Sequence, residues 1–347
     1  MTARRSLAAG YDIPPIIVGG WQLSEGHSAS LPEREALYRM WDALTDRGLD
    51  TFDCADIYTG VEQLIGDYRR SRPGRRVQVH TKFVPDRDAL PTLDRAYVTR
   101  VIDRSLARLG VDALDLVQLH WWNYAIPGMV DAAGWLGELR TAGKIRHLAL
   151  TNTDAAHTAA ILDAGVPLVA TQVQFSVLDR RPAGALAALA HARGMKLLCY
   201  GSVAGGFVAE QWLGAVDPAN DAENRSLVKY RLIIEDAGGW QRFQQRLAVL
   251  HAIAQHHGVG IANVAQRWVL DQPAVGAVIV GMRTMASAQG TLRTLGVELS
   301  AGDRAAIDAA FSDAAGPGGE VYALERDPAG HHAKVIRYNL NDGAPRQ

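Results

Sequence analysis

The chain has 347 residues, 48% apolar and 21% charged, the make-up of an ordinary globular protein with material for a large core. Its 36 Lys plus Arg against 37 Asp plus Glu give a formal charge of -1, so nothing draws it as a whole to nucleic acid or an anionic membrane, and a small-molecule partner is expected. The N-terminal apolar run is too short for a secretory signal, no stretch reaches the ~20 apolar residues of a membrane helix, and only Cys54 and Cys199 are present, so a reducing cytoplasm is the expected setting.

In chain order, eight strand-length apolar runs alternate with helix-period segments. "PPIIVGGW", starting at Pro14, is followed by the helical "PEREALYRMWDALTDRG" and then by "LDTFDCA" from Leu49. "RVQVHTKF", ending at Phe83, leads through "RAYVTRVIDRSLARLG" to "ALDLVQLHW", ending at Trp121. Next come "MVDAAGWLGELRTAGK", the strands "IRHLALTN" and "LVATQVQFS", the helix "AGALAALAHARG", and the strands "KLLCYGS" and "VGAVIVGM". Most of these helices close on Gly or a basic residue, as helix ends do. Eight such units predict an α/β fold, a (β/α)8 TIM barrel. A doubly wound sheet is less well matched, because no G-x-G-x-x-G follows an early strand.

The span after Ser202 is roughly double a normal repeat and predicts an extended loop and helix insertion after strand 7, on the barrel face where active sites form. One domain is expected over 1–347, with its core at about 14–312, closing on the helix "AGDRAAIDAAFSD", and a packed or partly mobile C-terminal tail at 313–347.

Side chains alternate across a strand, so each run divides into two faces. Val77, Val79, Thr81 and Phe83 suit the helix layer, which turns Gln78, His80 and Lys82 inward. The same division turns Gln118 and His120 inward from the next strand and Asp53 inward from the one before, with Tyr58 on the loop above it. Taken singly, each is better explained by packing or by a satisfied core polar group than by catalysis. Together they place a carboxylate, an ammonium, an imidazole and a phenol at one end of one barrel. A buried Lys82 needs a partner, and Asp53 is the nearest one. A phenol has an unperturbed pKa of about 10; an adjacent Lys82, held charged by Asp53, favours the phenolate and makes Tyr58 a general acid for a developing alkoxide. His120 then positions or polarises the carbonyl oxygen. None of these groups donates hydride, so a nicotinamide is required.

These segments resemble the aldo/keto reductase family over nearly the whole chain. "GLDTFDCADIYTGVEQLIG", "HTKF" and "SLARLGVDALDLVQLHW" are similar to the family's signatures in order and at the right separations. The resemblance implies a catalytic tetrad of Asp53, Tyr58, Lys82 and His120, with NADP(H) bound in an extended pose at the C-terminal face of the barrel. It implies Thr151, Asn152 and Gln172 about the carboxamide, Tyr200 under the nicotinamide ring, and Gly201 and Ser202 along the pyrophosphate. It also implies Gly281, Arg283 and Ser287 toward the adenosine phosphate, where a guanidinium favours NADPH over NADH. The chain departs from the family pattern at Ser287, where many members carry Gln or Arg, and at Gly290 and Thr291 in place of a Glu-Asn pair. Trp21, Phe83, Trp121 and Trp122 are expected to form an aromatic substrate rim, and the likeness of "WWNYAIPG" to certain bacterial and plant members suggests aromatic aldehydes, pyridoxal among them.

The function expected is reversible NADPH-dependent reduction of an aldehyde or ketone. An NAD-dependent alcohol or sugar dehydrogenase and a cofactor-binding sensor or regulatory subunit with incidental turnover are the alternatives. No metal is expected, because His251, His256 and His257 are not spaced to share a helix face as ligands. The oligomeric state is left open by the sequence.

Overall fold

The structure, a computed structural model, describes residues 2–25, 27, 31–218, 225–312 and 316–341. Residues 219–224 of the insertion and 313–315 and 342–347 of the tail lie outside that set. An antiparallel hairpin, β1 (Arg5–Ala8) and β2 (Tyr11–Ile13), precedes eight strands: β3 (Ile16–Gly19), β4 (Thr51–Asp53), β5 (Gln78–Phe83), β6 (Leu114–Leu119), β7 (Ile145–Thr151), β8 (Leu168–Gln174), β9 (Lys196–Tyr200) and β10 (Val275–Gly281). These eight are parallel and close on themselves, β10 pairing with both β3 and β9. This is the (β/α)8 barrel expected, with each of the eight apolar runs holding one strand.

Helices surround the barrel because each buries a stripe at helical spacing. In the helix Arg34–Thr45 the stripe is Leu37, Tyr38, Met40, Trp41 and Leu44. The helix Arg95–Leu109 starts at Asp94, whose carboxylate accepts from the Tyr97 amide at 2.7 Å, and stops at Gly110 in the left-handed region. The helix Val61–Ser71 lies so close to it that a Cβ on Gly66 would stand 2.3 Å from the Arg108 carbonyl oxygen.

The hairpin is an element that the alternating pattern did not announce. It plugs the N-terminal end of the barrel, where Leu7, Tyr11 and Ile13 join the inner layer formed by Leu116, Ala149, Ala170 and Leu198. Its strands are short, and they are held by partners far away in sequence. The Arg5 guanidinium donates to the Val275 carbonyl at 2.9 Å, and the Tyr11 hydroxyl lies 3.0 Å from His80 Nε2.

At the opposite end, the insertion after β9 forms the helices Arg225–Asp236 and Gly239–His257 before Ile261–Leu270 leads into β10. The tail returns across this mouth. Asn341 binds the Val84 carbonyl at 2.5 Å and the Asp86 carboxylate at 2.9 Å, and His332 meets Asp236 at 2.8 Å. Among the described residues no helix is long and apolar enough to cross a membrane.

Candidate active site

Asp53 ends β4, and Lys82 lies one residue from the end of β5, the neighbouring parallel strand. Strand parity turns both inward, and Lys82 Nζ donates to Asp53 Oδ2 and to the Cys54 carbonyl, each at 2.7 Å. Their side chains are only 5% exposed, so the pair is nearly dry and depends on further hydrogen bonds. Two amides supply them. Gln118 Nε2 and Gln172 Nε2 donate to Asp53 Oδ1 at 3.1 and 2.6 Å, and Gln172 also donates to Gln118 Oε1 at 2.9 Å. Burial, the largest single influence, would lower the Lys82 pKa, but the charge of Asp53, the neighbouring Tyr58 and the hydrogen bond to Asp53 together outweigh it, and the ammonium is held charged.

Tyr58 sits on the turn after β4, with its ring centroid 4.8 Å from the Lys82 ammonium and 4.8 Å from the Trp21 ring. Burial pushes its phenol above the ordinary value, while Lys82 pulls it back down by charge and hydrogen bond. The balance differs from the one expected from sequence, in which Lys82 dominated. Without substrate charge beside it, Tyr58 is a protonated phenol.

His120 follows β6, its amide donating to the Phe83 carbonyl at 3.0 Å. Nδ1 lies 3.3 Å from the Thr151 carbonyl, and Nε2 is buried with no hydrogen-bond partner among the described residues. Burial first, and then the Arg326 guanidinium, push the imidazole down to about 3, so it is neutral. Its ring meets Trp122 at 4.2 Å and Tyr322 at 5.5 Å, both edge-on.

Asp53, Tyr58, Lys82 and His120 all line one cavity of about 440 Å³ at the C-terminal ends of the strands. Thr151, Asn152, Gln172, Tyr200, Gly201, Ser202 and Gly281 line it too, as do Trp21 and Trp122. Asn152 takes a left-handed backbone, φ 57°, and its Oδ1 accepts from the Tyr200 hydroxyl at 2.8 Å. Ser202 is 1% exposed, and its hydroxyl, on the turn after β9, has no partner among the described residues. An unpartnered buried hydroxyl and the unpartnered Nε2 of His120, on two residues that line one cavity, fit a polar ligand there.

Two expected rim residues are elsewhere. Phe83 and Trp121 are fully buried and do not line the cavity. Phe83 lies on the outward face of β5, edge-on to Tyr97 at 6.2 Å, and Trp121 donates its indole N–H to the Ile126 carbonyl at 3.1 Å. Each neighbours an inward residue, Lys82 or His120, and so points the other way. Arg283 and Ser287 also lie outside the cavity lining, at the start of the helix Met285–Leu292, where Ser287 completes a capping box with Thr284. A small hydroxyl residue at Ser287 therefore has a local helix-start role.

The sequence reading did not single out Lys229, Tyr230 or Tyr322, which line the cavity from the insertion and the tail. A Cβ on Gly201 or Gly205 would come within 2.5 Å of the Tyr230 ring or hydroxyl, so these glycines admit the insertion helix. Lys229 lies 5.2 Å over the Tyr200 ring and pairs with Glu325 of the tail at 3.3 Å. Glu325 in turn meets Arg181 at 3.4 Å, and Arg181 is paired with Asp179 at 2.7 Å. Neither segment carries a strand period that would have pointed these residues at the barrel.

Residues 15–311 match the model of the aldo/keto reductase family. The chain is 32% identical over 257 residues to flagellar radial spoke protein 5 of Chlamydomonas reinhardtii, a match that covers 62% of this chain and 49% of that protein. It thus spans about half the length of that relative. To the chloroplastic pyridoxal reductase of Arabidopsis thaliana it is 26% identical over 311 residues, 83% of this chain and 80% of the relative. The crystal structure of an aldo/keto reductase from Klebsiella pneumoniae in complex with NADP and acetate superposes with a TM-score of 0.68 at 21% identity, covering 92% of this chain and 98% of that one, a likeness of fold.

Proposed function

Because the chain belongs to the aldo/keto reductase family, an oxidoreductase family, we propose that it reduces an aldehyde or ketone with NADPH, reversibly, and that Tyr58 is the general acid. The observation that carries this reading is the buried Asp53–Lys82–Tyr58 chain beside a neutral His120 that lines the cavity and whose buried Nε2 has no hydrogen-bond partner among the described residues. When bound, the cofactor supplies hydride to the carbonyl carbon. Asn152 and Gln172 would hold its carboxamide, Tyr200 would lie against its ring, and Gly201 and Ser202 would line its pyrophosphate. Gly281 and Arg283 would hold the adenosine end, with Arg283 giving the preference for the 2′-phosphate, while Ser287 would serve only by capping the helix beside them.

Each protein group has one task. Asp53 keeps Lys82 charged and in place, and Lys82 stabilises the phenolate that forms as Tyr58 gives up its proton to the substrate oxygen. The proton is transferred only when negative charge develops on that oxygen, because burial otherwise keeps the phenol protonated. His120 serves both directions while neutral. With the proton on Nδ1, donated to the Thr151 carbonyl, Nε2 accepts from an alcohol hydroxyl; donating to a carbonyl oxygen takes the other tautomer, with the proton on Nε2, and gives up the Thr151 bond. Trp21 and Trp122 wall the cavity with apolar surface that excludes water from this exchange.

Tyr58→Phe tests the proposal, since it keeps the ring and removes the proton. Reduction of a panel of aldehydes that includes pyridoxal should fall by about 10²-fold or more, the typical contribution of a positioned acid, while NADPH still quenches tryptophan fluorescence on titration. Turnover in the Phe variant near that of the wild type sinks the mechanism. Tighter binding of NADH than of NADPH in the same titration sinks the role of Arg283.

A further inference from the structure

The tail carries one guanidinium into the back of this site. Arg326 closes the short helix Ala323–Arg326, and its Nη2 donates to the Trp121 carbonyl at 2.9 Å and to the Asn152 carbonyl at 2.7 Å. These carbonyls belong to the residues that directly follow His120 and Thr151. The Thr151 carbonyl faces His120 Nδ1, and the Asn152 side chain binds the Tyr200 hydroxyl. One side chain therefore ties the end of β6 to the end of β7 at the points that orient the imidazole and the Asn152 amide.

Its charge is handled unusually. The guanidinium stacks 4.0 Å from the Tyr124 ring centroid and 5.1 Å from that of Tyr322, while Nε and Nη1 are buried without hydrogen-bond partners among the described residues. No carboxylate among those residues forms an ion pair with it, in contrast to Arg181, which meets two. A half-buried cation held by carbonyls and ring faces keeps its field, and the field reaches His120, where it adds to the effect of burial in lowering the imidazole pKa. The groups facing His120 are the Lys82 ammonium, the Arg326 guanidinium, the Thr151 carbonyl and the rings of Trp122 and Tyr322.

We propose that Arg326 is a positioning residue for the reaction: carried in by the C-terminal tail, it fixes His120 and Asn152 through their backbones and holds the back of the site positive where the substrate oxygen becomes negative. The proposal rests on the reductase reading above, and it makes the tail an integral wall of the active site.

The test compares Arg326→Met, which removes the donor nitrogen and the charge, with Arg326→Lys, which keeps a cation on a shorter side chain without the planar guanidinium that stacks on the Tyr124 ring. In the Met variant kcat should fall by roughly a hundredfold, the cost of a small displacement near the reacting atoms. The Kd for NADPH should rise by about tenfold at most, the step of a single lost contact, because Asn152 is tied by the same side chain, and so by much less than kcat falls. The ring resonances of His120, followed by NMR, should titrate at higher pH in the Met variant than in the wild type and stay low in the Lys variant, which should nevertheless lose much of kcat. Wild-type kcat in either variant overturns the positioning role. If the Met variant does not fold, the Lys variant alone decides between these outcomes. The NMR measurement needs no turnover: a wild type that reduces no carbonyl sinks the reductase reading, whereas a His120 titration unmoved by the Met substitution sinks the role of Arg326.

Discussion

Glu325→Gln is the most informative substitution for stability, because the carboxylate it removes joins three parts of the chain. Glu325 is 1% exposed, meets Lys229 of the insertion at 3.3 Å and Arg181, on the short turn Arg181–Ala183 before the helix Ala185–Ala192, at 3.4 Å. Burial alone would raise its pKa, but Lys229 and Arg181 outweigh burial and hold the carboxyl at about 2, against an ordinary 4.5. A carboxyl with a depressed folded-state pKa adds stability above the unfolded value, and that stability is lost as pH falls from 4.5 through 2. The full difference amounts to on the order of 3 kcal/mol at pH 7. At pH 3.5 the unfolded carboxyl is largely protonated while the folded one is still ionised, which corresponds to a loss of about 1.4 kcal/mol. Urea unfolding of the wild type and of the Gln variant at pH 7 and pH 3.5 isolates this contribution, because the other carboxylates are common to both. The variant should be less stable at pH 7 by roughly 3 kcal/mol, and the gap should narrow by about 1.4 kcal/mol at pH 3.5. A gap that does not change with pH would refute the assignment of the ion pairs to Glu325.

Two further outcomes follow from other buried contacts. Lys82→Met leaves the Asp53 carboxylate with its two amide donors alone and should cost ~3 to 5 kcal/mol in chemical unfolding, along with nearly all turnover; a variant as stable as the wild type would show that the pair is solvated. Tyr11→Phe removes the hydroxyl facing His80 and should destabilise by about 1 to 3 kcal/mol while kcat stays at the wild-type value, since the plug lies at the end of the barrel opposite the cavity. A fall in kcat for this variant would show that the two ends are coupled.

That Asp53, Tyr58, Lys82 and His120 come together could be read in the sequence because strand parity is a local property. Once Val77, Val79 and Thr81 were placed toward the helices, Lys82 had to turn inward, and the same rule sent His120 in and Trp121 out. Applied without exception, it also excludes Phe83 and Trp121 from the rim, a result that their nearness in sequence to Lys82 and His120 obscured. The barrel followed from repetition of the same pattern. The lengths and residues of β1 and β2 gave no comparable signal, because a three- or four-residue strand earns its place through contacts with Val275 and His80 rather than by period.

The roof of the site was decided only in three dimensions. Lys229, Tyr322, Glu325 and Arg326 lie in segments without strand alternation, and their places are set by partners such as Arg181, 144 residues from Glu325. Alternation is enough to aim a side chain when a strand already has two faces, one toward the helices and one toward the interior. A segment that crosses the barrel mouth has no such faces of its own, so where its charges settle depends on which buried carboxylate, carbonyl or ring it meets. In this chain the sequence alone determined that a carboxylate, a phenol, an ammonium and an imidazole meet at one end of the barrel, and the tertiary structure determined what covers them.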